Sequence, residues 1–182
     1  MNQPTERLLH LVRHGRPRVQ PGQPADDWGL DPDGLPGLVA LRDSGDLPRD
    51  AAWFCSPEPK AVATARFLHP GPLTVVPGLE EQHRGSHWFD DESGLRAAVR
   101  RAFADRQHAA APGWEPLAVT EQRVVSTARR LLAEHADEEI VLVGHGTAFT
   151  VLVSALTGSA PDLDAWTRLP MPGLWSVSIG VG

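Results

Sequence analysis

Two stretches of the chain end in the same way. LLHLVRHGRP near the start and EEIVLVGHGTAF late in the sequence are apolar, β-like runs that stop at a histidine followed by glycine, at His14 and at His145. A neutral imidazole is nucleophilic near pH 7 and also carries protons, so two brought to one place can act on the same small ligand. Arg13 precedes His14 and adds a permanent planar cation of the shape that grips phosphate or carboxylate. One His-Gly pair alone reads most simply as a strand-end histidine satisfied by the backbone. Two of them, with Arg13, read as an anion site, and the glycine after each would let the backbone turn sharply and a ligand approach the main chain. Zinc would need further ligands at a recognisable spacing; no HExxH or comparable pattern occurs, and no metal is expected.

Bringing both histidines together demands a particular arrangement of elements. Leu8 to Val12 is an apolar run broken only by His10, as in a strand covered on both faces. After a Pro- and Gly-rich loop through about Asp31, the spacing of Leu35, Leu38, Val39 and Leu41 predicts a short helix from Asp33 to about Asp43. AAWFC, ending at Cys55, reads as a second strand, and Ser56-Pro57-Glu58 then supplies a cap, a first-turn proline and an acidic first turn for a helix to about Leu68. Leu73 to Val76 reads as a third, short strand. From about Leu117 to Ala136, Val124, Val125, Ala128, Leu131 and Leu132 keep helical spacing. Ile140 to Val143 reads as a buried strand, Thr147 to Leu156 as a helix that Gly158 stops, and Trp175 to Val181 as a last strand. The charged stretch from 82 to 116, bearing Gly and Trp, is expected to be a loop plus helix laid over one end of the domain. Strands alternating with helices predict an α/β fold: a three-layer αβα sandwich around a mainly parallel sheet, one domain over residues 1–182. In such sheets ligands gather beyond the carboxyl ends of the strands, where both histidines would stand.

Bulk properties agree with one soluble domain. A chain of 182 residues with 41% hydrophobic content can fill one core and is short for two. Lys plus Arg number 17 against 23 Asp plus Glu, and the formal net charge of -6 gives no overall attraction to nucleic acid or anionic lipid, so neither is expected as a partner. The lone Cys55 has no partner for an internal disulfide, which fits a reducing cytoplasm. MNQPTERLLHLVRHG holds an acidic residue and too short an apolar run for a signal-peptide core, so no export is expected. Ile140 to Gly158 lacks Asp, Glu, Lys and Arg and approaches the length of a membrane helix. Gly144 and Gly146 flank a histidine within it, however, and Thr147, Thr150, Ser154 and Thr157 punctuate the rest, so strand, turn and buried helix are expected there.

Taken in order, LVRHG, CSPEPKAVATA, PGLEEQHRG and VLVGHG resemble the signatures of the histidine phosphatase superfamily, which includes the phosphoglycerate mutases. RHG alone is a weak signal; four motifs in order, over nearly the whole chain, are a strong one. The second motif is similar to the family's Ser-Pro-x-x-Arg-Ala-x-x-Thr-Ala helix start, and the third to its Leu-x-Glu segment before a glycine. The resemblance implies that His14 takes the phosphoryl group, that Arg13 and Lys60 bind phosphate, that His145 stabilises the phosphoryl oxygens, and that Glu81 gives a proton to the leaving oxygen. By composition alone Glu80 and Glu81 read as solvated surface; the motif selects Glu81. His10, His69, His83, His87, His108 and His135 read as surface or structural residues. Three positions depart from the family pattern: Lys60 stands where the family usually has arginine, keeping the charge without the two-pronged geometry, and Pro17 and Gln20 replace a threonine and an asparagine after RHG.

The resemblance leaves three activities to separate. The first is a metal-independent phosphomonoester hydrolase that passes through a phosphohistidine on His14, uses no cofactor and acts on a small phosphorylated metabolite. The second is a 2,3-bisphosphoglycerate-dependent phosphoglycerate mutase, which the chain length disfavours because mutases of this family use longer insertions to enclose a bisphosphate. The third is a module that binds a phosphorylated ligand without turning it over, which the departures at Lys60, Pro17 and Gln20 would favour and the presence of both histidines and Glu81 opposes. Arg16, Arg18 and Arg84 read either as positive potential at the pocket rim or as ordinary surface charge. Substrate choice is placed in the 82–116 segment, six tryptophans hint at an aromatic recess, and nothing in the chain sets an oligomeric state.

Overall fold

The computed structural model describes residues 7–180. Strands β1 (Arg7–Arg13), β2 (Ala52–Cys55), β3 (Thr74–Val75), β4 (Ile140–Gly144) and β5 (Gly173–Ile179) form one sheet in the order β3-β2-β4-β1-β5. The first four in that order run parallel to one another, and β5 joins the β1 edge antiparallel. Helices on both faces supply the crossovers that parallel strands need. Alternate strand residues point to opposite faces, which divides the core in two. Leu9, Leu11, Ile140 and Leu142 meet Val124 and Leu131 of α4 (Leu117–Glu134) and Phe149 and Leu152 of α5 (Gly146–Thr157) on one side. Val12, Trp53, Val141 and Val143 meet Leu38 of α1 (Leu35–Asp43) and Ala65 and Leu68 of α2 (Pro59–Leu68) on the other. The fold is the α/β three-layer sandwich with a mainly parallel sheet.

The charge-free stretch after Ile140 is a wholly buried β4 followed by a helix whose first seven residues, Gly146 to Leu152, are buried too. Burial by neighbouring elements, not lipid, explains its composition; among the described residues no helix is long and apolar enough to cross a membrane. Gly158 ends α5 in the left-handed conformation that glycine adopts without steric cost.

Local details differ from the sequence reading. The helix expected to open at Ser56 begins at Pro59, with Glu58 extended at the capping position. Pro59 imposes this, because a residue that precedes proline is driven out of the helical region. Ser56 is thereby freed from capping. The reading also has no counterpart for α6 (Leu163–Arg168), whose six residues are too few to show an apolar period. The last strand spans Gly173–Ile179, and Val181 lies outside the described residues, as do residues 1–6. Gly15 and Gly146 were expected to permit a sharp turn, yet neither has a positive φ. What marks both is limited room: a Cβ at Gly15 would meet Leu30 and Leu38 at 3.2 Å, and one at Gly146 would meet the Trp166 indole nitrogen at 3.3 Å and Arg13 Nε at 3.4 Å.

Residues 82–116 carry α3 (Glu92–Ala104), opened by Asp91, whose side chain accepts the Gly94 N–H at 2.8 Å. Ala98 and Val99 of α3 bury themselves with Trp114 and pack against Phe89 and Trp166. The Gln82 amide donates to the Glu115 carbonyl at 3.0 Å, closing the base of the segment.

Candidate active site

Register places the two histidines. Pairing of β1 with β4 sets Arg13 opposite Gly144, and pairing of β4 with β2 sets Cys55 opposite Val143, so the next residues of three strands stand in a row. That row is Ser56, His145, His14. The His14 N–H donates to the Gly144 carbonyl at 2.9 Å and the Ser56 N–H to the Val143 carbonyl at 2.9 Å. Both imidazoles are buried and meet edge to face, with centroids 5.2 Å apart and planes at 60°.

Each ring is oriented by a neighbour. His14 Nδ1 lies 2.7 Å from the Gly15 carbonyl oxygen, which can only accept, so Nδ1 carries the hydrogen and the lone pair is left on Nε2. Gly15 is held in turn: its N–H donates at 2.9 Å to Thr64 Oγ1, which donates at 2.7 Å to the Lys60 carbonyl within α2. His145 Nε2 lies 2.8 Å from Ser56 Oγ and 3.3 Å from Glu58 Oε1, while its Nδ1 is buried without a partner among the described residues. Burial, with added repulsion from Lys60 and Arg13, lowers the His14 pKa to about 3. Burial first, and then the neighbouring His14, Lys60, Arg84 and Arg13, pushes His145 well below its ordinary value.

Cations surround the rings. Arg13 Nη1 donates to the Leu169 carbonyl at 2.7 Å and Arg84 Nη2 to Thr147 Oγ1 at 2.8 Å, while Nε of each is buried without a partner among the described residues. Together with Glu81 and Thr147 these arginines line a cavity of about 200 Å³. Buried polar atoms are normally satisfied. Arg13, Arg84 and His145 each keep a buried nitrogen without a partner among the described residues, a demand that hydrogen bonds to an anion would meet. Of the arginines left open by sequence, Arg84 belongs here, whereas Arg16 is exposed and pairs with Asp31 at 2.9 Å.

The carboxylates are arranged around that positive centre. Glu81 caps the start of α5: its oxygens accept the N–H of Thr147 at 3.0 Å, of Ala148 at 2.8 Å and of Gln82 at 2.9 Å. These bonds satisfy N–H groups that the first turn of a helix leaves without a backbone partner. Glu80 turns away, accepting the Gly78 N–H at 2.6 Å and pairing with Arg123 at 3.6 Å. Lys60 is buried and ion-paired with the equally buried Glu58, and its ammonium donates a second bond to the Ala25 carbonyl at 2.6 Å. An ammonium has three hydrogens, so one remains uncommitted. Glu58 Oε1 also accepts the Glu81 N–H at 2.8 Å, which couples the Lys60 and Glu81 segments. Burial pushes the Glu58 carboxyl up to about 7 against the pull of Lys60.

All five residues picked out from sequence, Arg13, His14, Lys60, Glu81 and His145, therefore gather at the carboxyl ends of β1 and β4. Sequence reading gave Glu58 and Ser56 only to a helix start. The usable signal was positional: both lie in the short loop between β2 and the helix that carries Lys60, at the edge of the sheet where ligands bind. Among the described residues no three His, Cys, Asp or Glu side chains stand together as a metal would require.

A family model described as histidine phosphatase superfamily (branch 1) matches residues 9–180. The chain belongs to the histidine phosphatase superfamily. Among solved structures, the chain is similar to mycobacterial glucosyl-3-phosphoglycerate phosphatase, at 22% identity and TM-score 0.74, covering 95% of this chain and 90% of that one. Structures of that phosphatase also exist with VO3 and with inorganic phosphate. An Entamoeba histolytica phosphoserine phosphatase mutant in complex with phosphoserine matches at 19% identity and TM-score 0.70, covering 93% and 89%. Bacillus stearothermophilus YhfR matches at 24% identity and TM-score 0.68, covering 90% and 85%. At these identities the likeness is one of fold. No curated protein matches the chain.

Within this histidine phosphatase fold the buried ionisable groups yield two expectations. A histidine protonated near 6.5 when unfolded and only near 3 when folded binds its proton first in the unfolded chain, so His14 subtracts stability as pH falls from about 6.5 to about 3. NMR of the ligand-free imidazole should show His14 neutral and Nδ1-protonated at pH 5; a protonation midpoint between 6 and 7 would contradict the buried geometry. Glu58→Ala leaves the Lys60 ammonium buried and unpaired, and urea unfolding should register a loss of about 3–5 kcal/mol. Unchanged stability would show that Lys60 escapes to water.

Proposed function

We propose that this protein is a metal-independent phosphomonoester hydrolase that works through a phosphohistidine on His14. The observation that carries the reading is the free Nε2 of a neutral, buried His14 beside a second histidine and a set of unsatisfied cationic donors. A nucleophile so held divides one difficult displacement into two. In the first step His14 Nε2 attacks phosphorus, the bond to the ester oxygen breaks, and Glu81 delivers a proton to the departing alkoxide. In the second, water attacks the phosphohistidine, the N–P bond breaks, and Glu81 takes up the proton from the water. Arg13, Arg84, His145 and the uncommitted Lys60 hydrogen are the donors for the equatorial oxygens. Fixed cations in a water-poor site stabilise the charge spread over the transferring group, which is the service a metal ion renders elsewhere.

Glu58 is the other carboxyl in reach of this chemistry, and its bonding argues for a different part. Its oxygens are taken by Lys60, by the Glu81 N–H and by proximity to His145 Nε2, so it sets charge and geometry behind the donors. The small cavity lined by Arg13 and Glu81 supports a small phosphorylated metabolite as substrate, as do the phosphoserine and phosphate complexes of the fold relatives. The 82–116 segment is the covering element in this reading, and the lone, buried Cys55 supports a reducing, cytoplasmic setting. A mutase would need a second anion site, and the wall beyond Arg84 carries Asp90, Asp91 and Glu92 instead. A non-catalytic module would have no use for a free Nε2 on a nucleophile held by two successive hydrogen bonds.

Incubation with a chromogenic phosphate ester in chelator, followed by acid and base quenches, tests the central step. Turnover should survive the chelator, and an acid-labile, base-stable phosphoprotein should vanish in His14→Ala. His145→Ala should lower kcat about a hundredfold, as loss of one transition-state donor does; an unchanged rate would remove His145 from the mechanism. Glu81→Gln should slow alkyl phosphates by about 100-fold or more and nitrophenyl phosphate far less, because a good leaving group departs without a proton. Equal losses on both esters would assign the proton to another residue.

A further inference from the structure

Beside the anion site lies a second cavity, of about 310 Å³, whose walls are aromatic. Trp28, Trp88, Phe89 and Trp114 line it, with Trp28 and Trp88 edge to face at 6.4 Å and Phe89 against Trp114 at 5.9 Å. It shares Arg84, Glu92 and Leu95 with the smaller cavity that holds Arg13 and Glu81, so the two have a common wall. Arg84 is the joint. Its guanidinium stacks over the Trp114 ring at 4.6 Å while one of its nitrogens bonds Thr147 at the start of α5. Ala25, whose carbonyl receives Lys60, lines the same recess, giving a second point of contact with the anion site.

Three features define what such a recess can take. Its lining is mainly apolar and includes four aromatic side chains, which favour flat apolar groups by area and ring contact. The indole N–H groups of Trp28 and Trp114 are buried without partners among the described residues. Charge along the rim is mostly negative: Asp90, Asp91 and Glu92 stand there, Asp91 is occupied in capping α3, Glu92 pairs with Arg96, and Asp90 has no ion-pair partner among the described residues. Arg84 is the one arginine or lysine of the lining and faces the phosphate in this reading, so a second phosphate or a carboxylate placed beside Asp90 would be repelled.

We infer that the recess is the leaving-group subsite and that the substrates are phosphomonoesters of uncharged alcohols carrying an aromatic ring. This rests on the hydrolase reading above and narrows it. The phosphate sits among Arg13, His14 and His145, and the ring of the alcohol crosses the shared wall past Arg84 to lie between Trp28, Trp88 and Trp114. Trp88 is the residue to test, because it is 45% exposed and its loss spares the core.

The experiment compares kcat/KM of the full chain for ethyl phosphate, 2-phenylethyl phosphate and 3-phosphoglycerate. The first two share a primary alkoxide leaving group, so their ratio isolates binding of the ring. The arylalkyl ester should be preferred by about tenfold or more, the size of effect expected for burying a phenyl group. Trp88→Ala should erase most of that preference through KM and leave ethyl phosphate unchanged. A 3-phosphoglycerate rate equal to or above that of 2-phenylethyl phosphate, or no preference between the two alkyl esters, would overturn the inference and leave the hydrolase intact. Absence of turnover and of phosphoprotein with all three would overturn the hydrolase and the inference with it.

Discussion

The parallel pairing of β1 with β4, in the register that sets Arg13 against Gly144, is the constraint on which the site depends. A strand has a repeat of two, so a slip of one residue would send His14 to the other face of the sheet. Burial of Leu9 and Leu11 against one helical layer and of Val12 against the other holds the register, since all three are fully buried. The same pairing puts the His14 N–H on the Gly144 carbonyl and so ties the His14 backbone to the strand carrying the second histidine. Core packing and site geometry are here one interaction.

Concentrating positive charge at such a place carries an electrostatic cost, and the surrounding structure answers it. Arg13, Lys60 and Arg84 converge on two imidazoles that burial keeps neutral. Glu58 neutralises Lys60 from behind, and Glu81 lies across the positive end of α5 while lining the cavity that holds Arg13. Lysine in place of the family's arginine fits this arrangement. A compact ammonium can share itself between Glu58, the Ala25 carbonyl and one further acceptor, whereas a planar guanidinium would need a wider, forked space. Glu58, at the cap of α2, and Lys60, in its first turn, are a matched pair within CSPEPKAVATA.

Much of this was legible in the chain. Apolar runs ending at His-Gly located β1 and β4, the 3.6-residue spacing located α4, and four ordered motifs located the five candidate residues. The start of α2 was misread because two prolines competed for the first helical position. Pro59 takes it, since Glu58 ahead of it is forced extended, and that extension sends the Glu58 side chain inward to Lys60 and frees Ser56 for His145. The glycines after the histidines were misread for a related reason. Residue type alone does not tell freedom to turn from lack of room, and at Gly146 the deciding neighbours, Arg13 and Trp166, are distant in sequence.

By itself the sequence determined the fold class, the order of the elements and which residues could do chemistry. These depend on periodicity, strand-end position and side-chain type, all of which are local. Only the tertiary structure decided that Glu81 rather than Glu80 faces the arginine-lined cavity, that Arg84 spans the anion site and an aromatic recess, and that Glu58 stands behind Lys60. Those facts depend on which side chains from separate segments lose water together. Burial of that kind is a property of the packed chain, and no window along the sequence contains it.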